Sequence, residues 1–594
     1  GICAPDHSRR HAREINWSNS SWRTLLPHST LRPGGLLVMR RFPARAKAPL
    51  LSLLAGAGVV AAAAALTRRS DPELLPSFHD LSLSSPAEKI GFVAEGIARS
   101  SRALYTITFV VIDYKYSLRG LEPRSDEYRS KLSEVHLRSA KRILKLCETN
   151  KGFYAKAGQF ASSLRQVPKE YSSTLSTLQD KAVPCHFKDI KEVIVKNLGK
   201  DLSELFYSFD EKPIAAASIA QVHHALLKDN QEVAVKVQYP DLQQRLTIDI
   251  TTMAILSNSV AWAFPEYRLE WMVSEFKRTL SSELNFLQEG ENAERTARNF
   301  RRKRVVKVPH IYWGLTTSQV LTMQFFNGHK VDDLESLKAS GINPGKVAKA
   351  LIDLFSEMIF IHGFVHGDPH PGNILVSLEG PEGFSLVILD HGIYKELDEN
   401  FRLDYCQLWK ALILLDAQGI KKISERLGMG KYAKYFPVIF TGRTMESKSA
   451  LGKQMSVVEK GNLKQELLAL NMRDISSFME SMPPDFLTIL RTDGLLRSIM
   501  GKLGAPGRVR LLIYAKYAVY GLATKRQKET GHKFEHAIYK IRVSVSYLQL
   551  RCLLAILELL SQLEDLRHSV VIRLEEMLLE SFHFLNRRFF TLRL

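Results

Sequence analysis

Lys236, Glu283, Asp368, Asn373 and Asp390 are the residue types that phosphoryl transfer from ATP requires, and they occur in a workable order. That chemistry needs a lysine on the phosphates, an acid to fix the lysine, oxygen ligands for magnesium and a carboxylate near the attacking group. Lys236 sits in "VAVK", matching the V-A-I-K pattern whose lysine meets the α- and β-phosphates. Glu283, in "SSELNFLQEG", is placed to hold that lysine, and Glu289 is a second candidate six residues on. Asp368 and Asn373 share the loop "HGDPHPGN" with D-x-x-x-x-N spacing, which presents a base to an acceptor and an amide to a metal. Asp390, in "LDHG", would bind Mg2+ together with Asn373. The bend Ala215, Ala216, Ala217 and Ser218 and the strand-end residues Met323 and Phe325 are the further candidates for nucleotide contact. Taken singly, each feature has a plainer explanation. A strand lysine usually faces solvent, a helix glutamate usually sits on a solvated face, and "DHG" makes a good turn. The joint order on strand, helix, loop and hairpin is what favours the site.

The elements that must position these groups follow from periodicity. Residues 88–179 have helical apolar spacing. The stretch 204–240 changes to alternation: in "EVAVKVQ", Val233, Val235 and Val237 share one face, and Ala234, Lys236 and Gln238 the other. A helical segment to about Phe300 precedes two more strand expectations, "VPHIYWGL" and "QVLTMQFF". Asn343–Gly363 reads as a helix, "NILVSLEG" and "FSLVILD" as a hairpin, and everything beyond about Glu399 as helix. The fold class expected is α+β, a two-lobed kinase-like layout. Two departures from an ordinary protein kinase stand out. Alanines replace a G-x-G-x-x-G loop, and alanine resists the positive φ such a loop uses. "DHGIYKELDENFRLDY" runs almost directly into helix, with no A-P-E motif and little room for a peptide-binding shelf, so a peptide substrate is disfavoured.

The chain of 594 residues is long enough for two or more lobes. Its five cysteines are scattered without a CxxC pair, which argues against a disulfide framework or zinc site and fits a reducing compartment. The net charge of +20 is uneven, because Ile15–Ser70 holds eight Lys and Arg residues and no acid. The remainder is moderately basic, and nucleic acid is not the expected partner. An acid-free, Arg- and Ser-containing leader has the character of an organelle transit segment. Met39 is an alternative start, and the 17 uncharged residues Leu50–Leu66 are either part of a cleaved presequence or a short membrane anchor. Residues 71–87 read as a linker, and "RNFRRKRVVK" (298–307) as a candidate contact for anionic head groups. The tail helix 543–566 carries charges and reads as packing or interfacial, not spanning.

Seven motifs together resemble the aarF/UbiB family of atypical kinases over about residues 85–520: "KAGQ" (Lys156–Gln159), "LQDKAVP" (Leu178–Pro184), "AAASIAQVH", "VAVKVQYP", "ELNFLQE", "HGDPHPGN" and "LDHG". The resemblance implies a protein-kinase-like fold with an N-terminal helical extension (88–200) carrying K-x-G-Q, an N-lobe (201–328), a C-lobe (329–525) and an all-helical C-terminal region with a tail (526–594). It also implies that Lys156 and Gln159 line the nucleotide cleft, where a protein substrate would otherwise enter. ATP and Mg2+ are the implied cofactors, and a membrane lipid or a prenylquinone (coenzyme Q) precursor the implied partner, at an anionic membrane surface of the mitochondrion or plastid. This chain departs from the usual family pattern at Asn285, Gln324 and His391, where Asp, Glu and Phe are expected. Its "DHG" and "ELNFLQEG" forms resemble those of a subgroup linked more to mitochondrial lipid balance than to quinone synthesis. The rival readings are a non-catalytic, nucleotide-gated scaffold and a small-molecule or lipid kinase.

Overall fold

The computed structural model describes residues 86–529, apart from 123–124, 164–166, 180–183, 241, 266–272, 275, 278–279, 281–282, 448–454, 470–476 and 479, and scattered residues from 541 to 559. The leader, the Leu50–Leu66 segment, part of the linker, the centre of "LQDKAVP" and most of the 543–566 helix lie outside the described residues. Among the described residues, no helix is long and apolar enough to cross a membrane.

The extension is helical as its periodicity requires. Helices α1 (Pro86–Ser117), α2 (Asp126–Asn150), α3 (Gly152–Ser163), α4 (Lys169–Leu175) and α5 (Phe187–Leu198) precede the first sheet. Ser125 caps α2 by accepting a hydrogen bond from the Tyr128 amide, with Asp126 and Glu127 in the first turn where the helix dipole favours acids. A buried ion pair, Arg99 to Asp249, ties α1 to the later helix α6 (Leu242–Ala263).

The upper lobe is built on β1 (Phe206–Phe209), β2 (Ala215–Ala216), β3 (Ala220–Leu227), β4 (Glu232–Gln238) and β6 (Val320–Gln324). The order is β1-β3-β4-β6, with β2 added on β3, and all pairings are antiparallel. Val233, Val235 and Val237 are fully buried against Ile190 and Ile194 of α5, while Lys236 emerges on the other face. Two-residue alternation therefore divides the strand between core and cleft as expected. The second strand expectation, "QVLTMQFF", supplies β6. The first, "VPHIYWGL", is corrected: it yields a single bridge, Ile311 to Met323, and a 3-10 turn at Trp313–Leu315. Pro309 has no N–H to give a ladder. The short β5 (Val306–Lys307) just before it pairs instead with β10 (Ser385–Ile388) of the lower lobe.

Helix α7 (Phe286–Phe300) crosses behind the upper sheet, and Asn285 is its N-cap, accepting from the Leu287 amide. Asn and Asp cap about equally well, so the Asn in place of Asp costs little at this position.

The lower lobe holds β7 (His329–Lys330), α8 (Pro344–Glu357), β8 (Phe364–His366), the hairpin β9 (Ile374–Ser377) and β10 (Ser385–Ile388), and β11 (Tyr394–Glu396), which pairs with β8. After α8 one wide turn, Met358–His362, ends at Gly363 with φ +62°. From Asp398 the chain enters α9 (Glu399–Leu414), followed by shorter helices, α10 (Pro484–Lys502) and α11 (Gly507–Glu529). Only β11 and a short turn separate Asp390 from α9. Trp409, Tyr405, Phe440, Phe486 and Tyr514 interlock at the centre, with Trp409 edge-on to Tyr514 at 4.8 Å. Asp493 of α10 is buried there, satisfied by Arg510 (2.9 Å) and Tyr514 (3.1 Å). Helices α9 and α11 approach closely because Gly521 has no side chain: a Cβ there would stand 2.4 Å from the Phe360 carbonyl oxygen and 2.8 Å from Cys406 Sγ. Gly521→Ala is expected to lower stability by about 1–3 kcal/mol, because the clash is with backbone and must separate the helices. Urea unfolding checks this, and an unchanged midpoint would mean that the helices can part freely.

Candidate active site

Lys236, the central residue of the cleft, is held on β4 by its flanking buried valines. Its Nζ donates to Glu289 Oε1 and Oε2 (2.7 and 2.9 Å) and to Asp390 Oδ2 (3.0 Å). The expectation that Glu283 orients this lysine is therefore corrected. Glu283 instead pairs with Lys156 of α3 at 2.8 Å. The physical reason is local: the chain turns at Leu284–Asn285, so Glu283 precedes the capped start of α7 and faces the extension. Glu289 lies in the first turn of α7, facing the sheet, where the positive helix end favours a carboxylate.

The charges have opposed environments. Burial pushes Glu289 up to about 7, with Lys236 working against it. Burial also acts to raise Asp390, but Lys236 and the Gly392 amide, which donates to Oδ1 at 2.9 Å, hold it well below the ordinary carboxylate range. Lys236 stays protonated despite burial, because Asp390 and Glu289 raise its pKa. Gly392 completes this corner: a Cβ there would sit 3.3 Å from Asp390 Oδ1 and 3.7 Å from Glu289 Oε2.

Two histidines join the catalytic-type loop to the hairpin aspartate. The Asp368 amide donates to His366 Nδ1 (3.0 Å), so His366 Nε2 carries the proton and donates to the Asp390 carbonyl (2.8 Å). Burial keeps this imidazole neutral. His391, in place of a phenylalanine, is stacked on Tyr394 and accepts its hydroxyl proton at Nδ1 (3.0 Å), while Nε2–H donates to Ile388 O (3.1 Å). Burial, then the neighbouring His366, pushes it down to about 3. His391 thus does the packing work of a Phe while adding two hydrogen bonds. Asn292 of α7 donates to its carbonyl at 3.0 Å, linking the helix that carries Glu289 to the hairpin.

Asp368 and Asn373 meet across their loop, with Asn373 Nδ2 donating to the Asp368 carbonyl (3.1 Å). That orientation leaves the Asn373 amide oxygen as an acceptor. One carboxylate and one amide oxygen are the hard ligands that Mg2+ accepts while it keeps waters and phosphate oxygens. Among the described residues, no group of three or more His, Cys, Asp or Glu side chains converges on a metal position. A carboxylate and an amide oxygen fit an ion that arrives with phosphates.

The alanine bend contains no positive-φ residue. It is pinned to the end of β4 by Tyr239, whose hydroxyl donates to Ala217 O (3.0 Å) and whose amide donates to Ile219 O (3.0 Å). Ala215 and Ala216 form β2, and Ser218 is buried beneath the bend. Met323 is buried opposite Ala234, and the Phe325 amide donates to Glu232 O, so these two mark the strand end at the rear of the cleft. Lys156 is nearly buried, its charge favoured by Glu283, Asp368 and Asp390 against desolvation. Gln159 donates to Leu178 O at 2.9 Å.

The residues that sequence reasoning missed are His366, Asn292, Tyr239 and Arg491. Arg491 Nη2 lies 3.4 Å from Asp368 Oδ1, with its guanidinium over Phe160. It comes from α10, and no motif announces it.

Lysine on a strand, glutamate on a later helix, an Asp/Asn loop and a hairpin Asp define a kinase-like site on a kinase-like α+β fold. The model of the ABC1 atypical kinase-like domain matches residues 177–424. The chain is 40% identical over 461 residues to AarF domain-containing protein kinase 1 of Xenopus tropicalis, covering 77% of this chain and 88% of that one. The mouse protein of that name is 40% identical over 74% of this chain and 84% of its own. A putative ABC1 protein of Arabidopsis thaliana is 38% identical over 68% and 79%. Among solved structures, Rv3197 of Mycobacterium tuberculosis in complex with erythromycin aligns with 66% of this chain and 99% of its own, at 21% identity and TM-score 0.42. The chain belongs to the ABC1/AarF family of atypical kinases.

Proposed function

We propose that the chain binds Mg-ATP between its lobes and hydrolyses it, in the service of a membrane lipid or prenylquinone precursor in the mitochondrion, or alternatively the plastid. The observation that carries the nucleotide reading is the buried triad Glu289–Lys236–Asp390, a lysine held by two acids at a cleft. In this reading Lys236 takes the phosphates, Glu289 orients it, and Asn373 and Asp390 hold Mg2+, which neutralises phosphate charge when bound. Asp368 positions the attacking water or acceptor and keeps its own place through His366 and Arg491. A protein acceptor is disfavoured by the short path from Asp390 to α9 and by Lys156 at the cleft. The lipid half of the proposal is supported by family membership, the basic leader and the exposed arginines of the run 298–307. Of the basic run 298–307, Lys303 is turned inward to Glu357 and Asp353, while Arg301 and Arg302 remain exposed for anionic head groups.

Phosphate release from Mg-ATP by the full chain, with and without vesicles containing anionic phospholipid, tests this reading. Turnover that rises on vesicles supports it, and vesicle-independent turnover removes the membrane half. The scaffold reading is favoured by one observation, the pinned alanine bend, which cannot close on phosphates as a glycine loop does. Asp368→Asn separates the two: a scaffold keeps its cellular function when turnover is lost.

A further inference from the structure

The helical extension lines an open cavity of about 410 Å3 outside the nucleotide cleft, between α1, α2, α3, α4 and α6. Native interiors carry few voids larger than a water molecule, and cavities of about 300–1,000 Å3 are the size that small ligands occupy. Among the described residues, no Lys, Arg, Asp or Glu side chain lines this one. The walls are aliphatic and aromatic, among them Val110, Leu146, Phe276 and Met253. Polar groups interrupt them, among them a tyrosine–histidine cluster and a serine. Tyr114 is hydrogen-bonded to both His136 and Tyr171 (2.9 Å to the latter), and burial keeps His136 neutral. Ser257 is 7% exposed, and its Oγ has no hydrogen-bond partner among the described residues. An unsatisfied hydroxyl on a roomy apolar wall is a position for a ligand's hydrogen-bonding group.

The cavity and the cleft share one wall. On α3, Ala157, Gly158 and Ala161 line the cavity, while Lys156, paired with Glu283, lies on the opposite side of the same helix. Gly158 is tight against its neighbours, since a Cβ there would meet Leu178 Cδ1 at 2.4 Å. A helix wedged in this way passes displacement on its cavity face to Lys156.

We propose that this cavity binds a neutral long-chain lipid, a hydrocarbon chain with one uncharged hydrogen-bonding group, and that occupancy changes nucleotide affinity through α3 and the Lys156–Glu283 pair. A charged head group is rejected because the lining offers no counter-charge. The second half rests on the nucleotide reading of the cleft; the first half does not.

The test uses the full chain with two probes of equal length, 1-dodecanol and dodecanoate, titrated calorimetrically, the alcohol below its solubility limit and the carboxylate below its micelle concentration. Saturable binding of the alcohol, at least tenfold tighter than the carboxylate, is expected. Ala161→Phe and Met253→Trp fill the cavity from two different helices, and each is expected to weaken alcohol binding at least tenfold. Circular dichroism establishes that the variants are folded. No saturable binding by the alcohol, or undiminished binding by both folded variants, overturns the site. Equal binding of the carboxylate overturns the neutral head group. Mg-ADP affinity is then measured with and without saturating alcohol, and a change of at least threefold is expected. Unchanged affinity overturns the coupling alone. Absence of Mg-ADP binding in both conditions overturns the coupling and the nucleotide reading together, and leaves the lipid site standing.

Discussion

Lys236→Met is expected to abolish Mg-ATP turnover, by roughly 10²-fold or more, since it removes the cation aimed at the phosphates. It also has a consequence that a simple loss of contact would not produce. Glu289 and Asp390 would face one another in a buried site with no cation between them. Like charges in such a site raise each other's pKa. With Lys236 present Glu289 already stands near 7; without it both carboxyls move up. A carboxyl whose folded pKa exceeds its unfolded value gives stability that is complete below the unfolded pKa and is lost as pH rises through the folded one. The variant should therefore lose at least about 2 kcal/mol between pH 5 and pH 8, extending above pH 7, beyond any decline in the wild type. Asp390 in the wild type has the opposite sign: its depressed pKa gives stability that disappears only in acid. Urea midpoints of both proteins across pH 5–8 check this. Parallel curves would show that the two acids are not coupled through the lysine.

Lys156→Met has the second large effect. It leaves Glu283, 8% exposed, without the ammonium group that satisfies it. Breaking one half of a buried ion pair costs about 3–5 kcal/mol, whereas replacing both halves with apolar groups of similar size is near neutral. Lys156→Met should therefore destabilise by about 3 kcal/mol, and adding Glu283→Leu should restore most of it. A double-mutant cycle by urea unfolding reads the coupling directly. Additive losses would mean that the pair at the cleft is incidental.

These two experiments also mark where the sequence was readable. The alternation around Lys236 specified both its strand and the face it emerges on, because two-residue periodicity leaves a buried strand no second choice. The spacing in "HGDPHPGN" and the hairpin ending in Asp390 were legible for the same kind of reason, since local geometry decides them. Glu283 and Glu289 were not separable by spacing. Both are glutamates near the start of a helix, and the choice between them depends on where Asn285 caps it and on Lys156 more than a hundred residues earlier. "VPHIYWGL" has strand-like residue types, but Pro309 and the neighbouring β6 determine how little of it can pair. Arg491 and Tyr239 act through contacts between distant elements, which periodicity does not encode.

Phosphate release from Mg-ATP by the full chain, measured beside Asp390→Asn, tests the central claim most directly. Asn keeps the shape and loses the charge that Mg2+ requires. Steady turnover by the wild-type chain and a loss of roughly 10²-fold or more in the variant, with both folded, are expected. Equal rates in the two proteins, or no turnover by a wild-type chain that binds nucleotide, would contradict that claim.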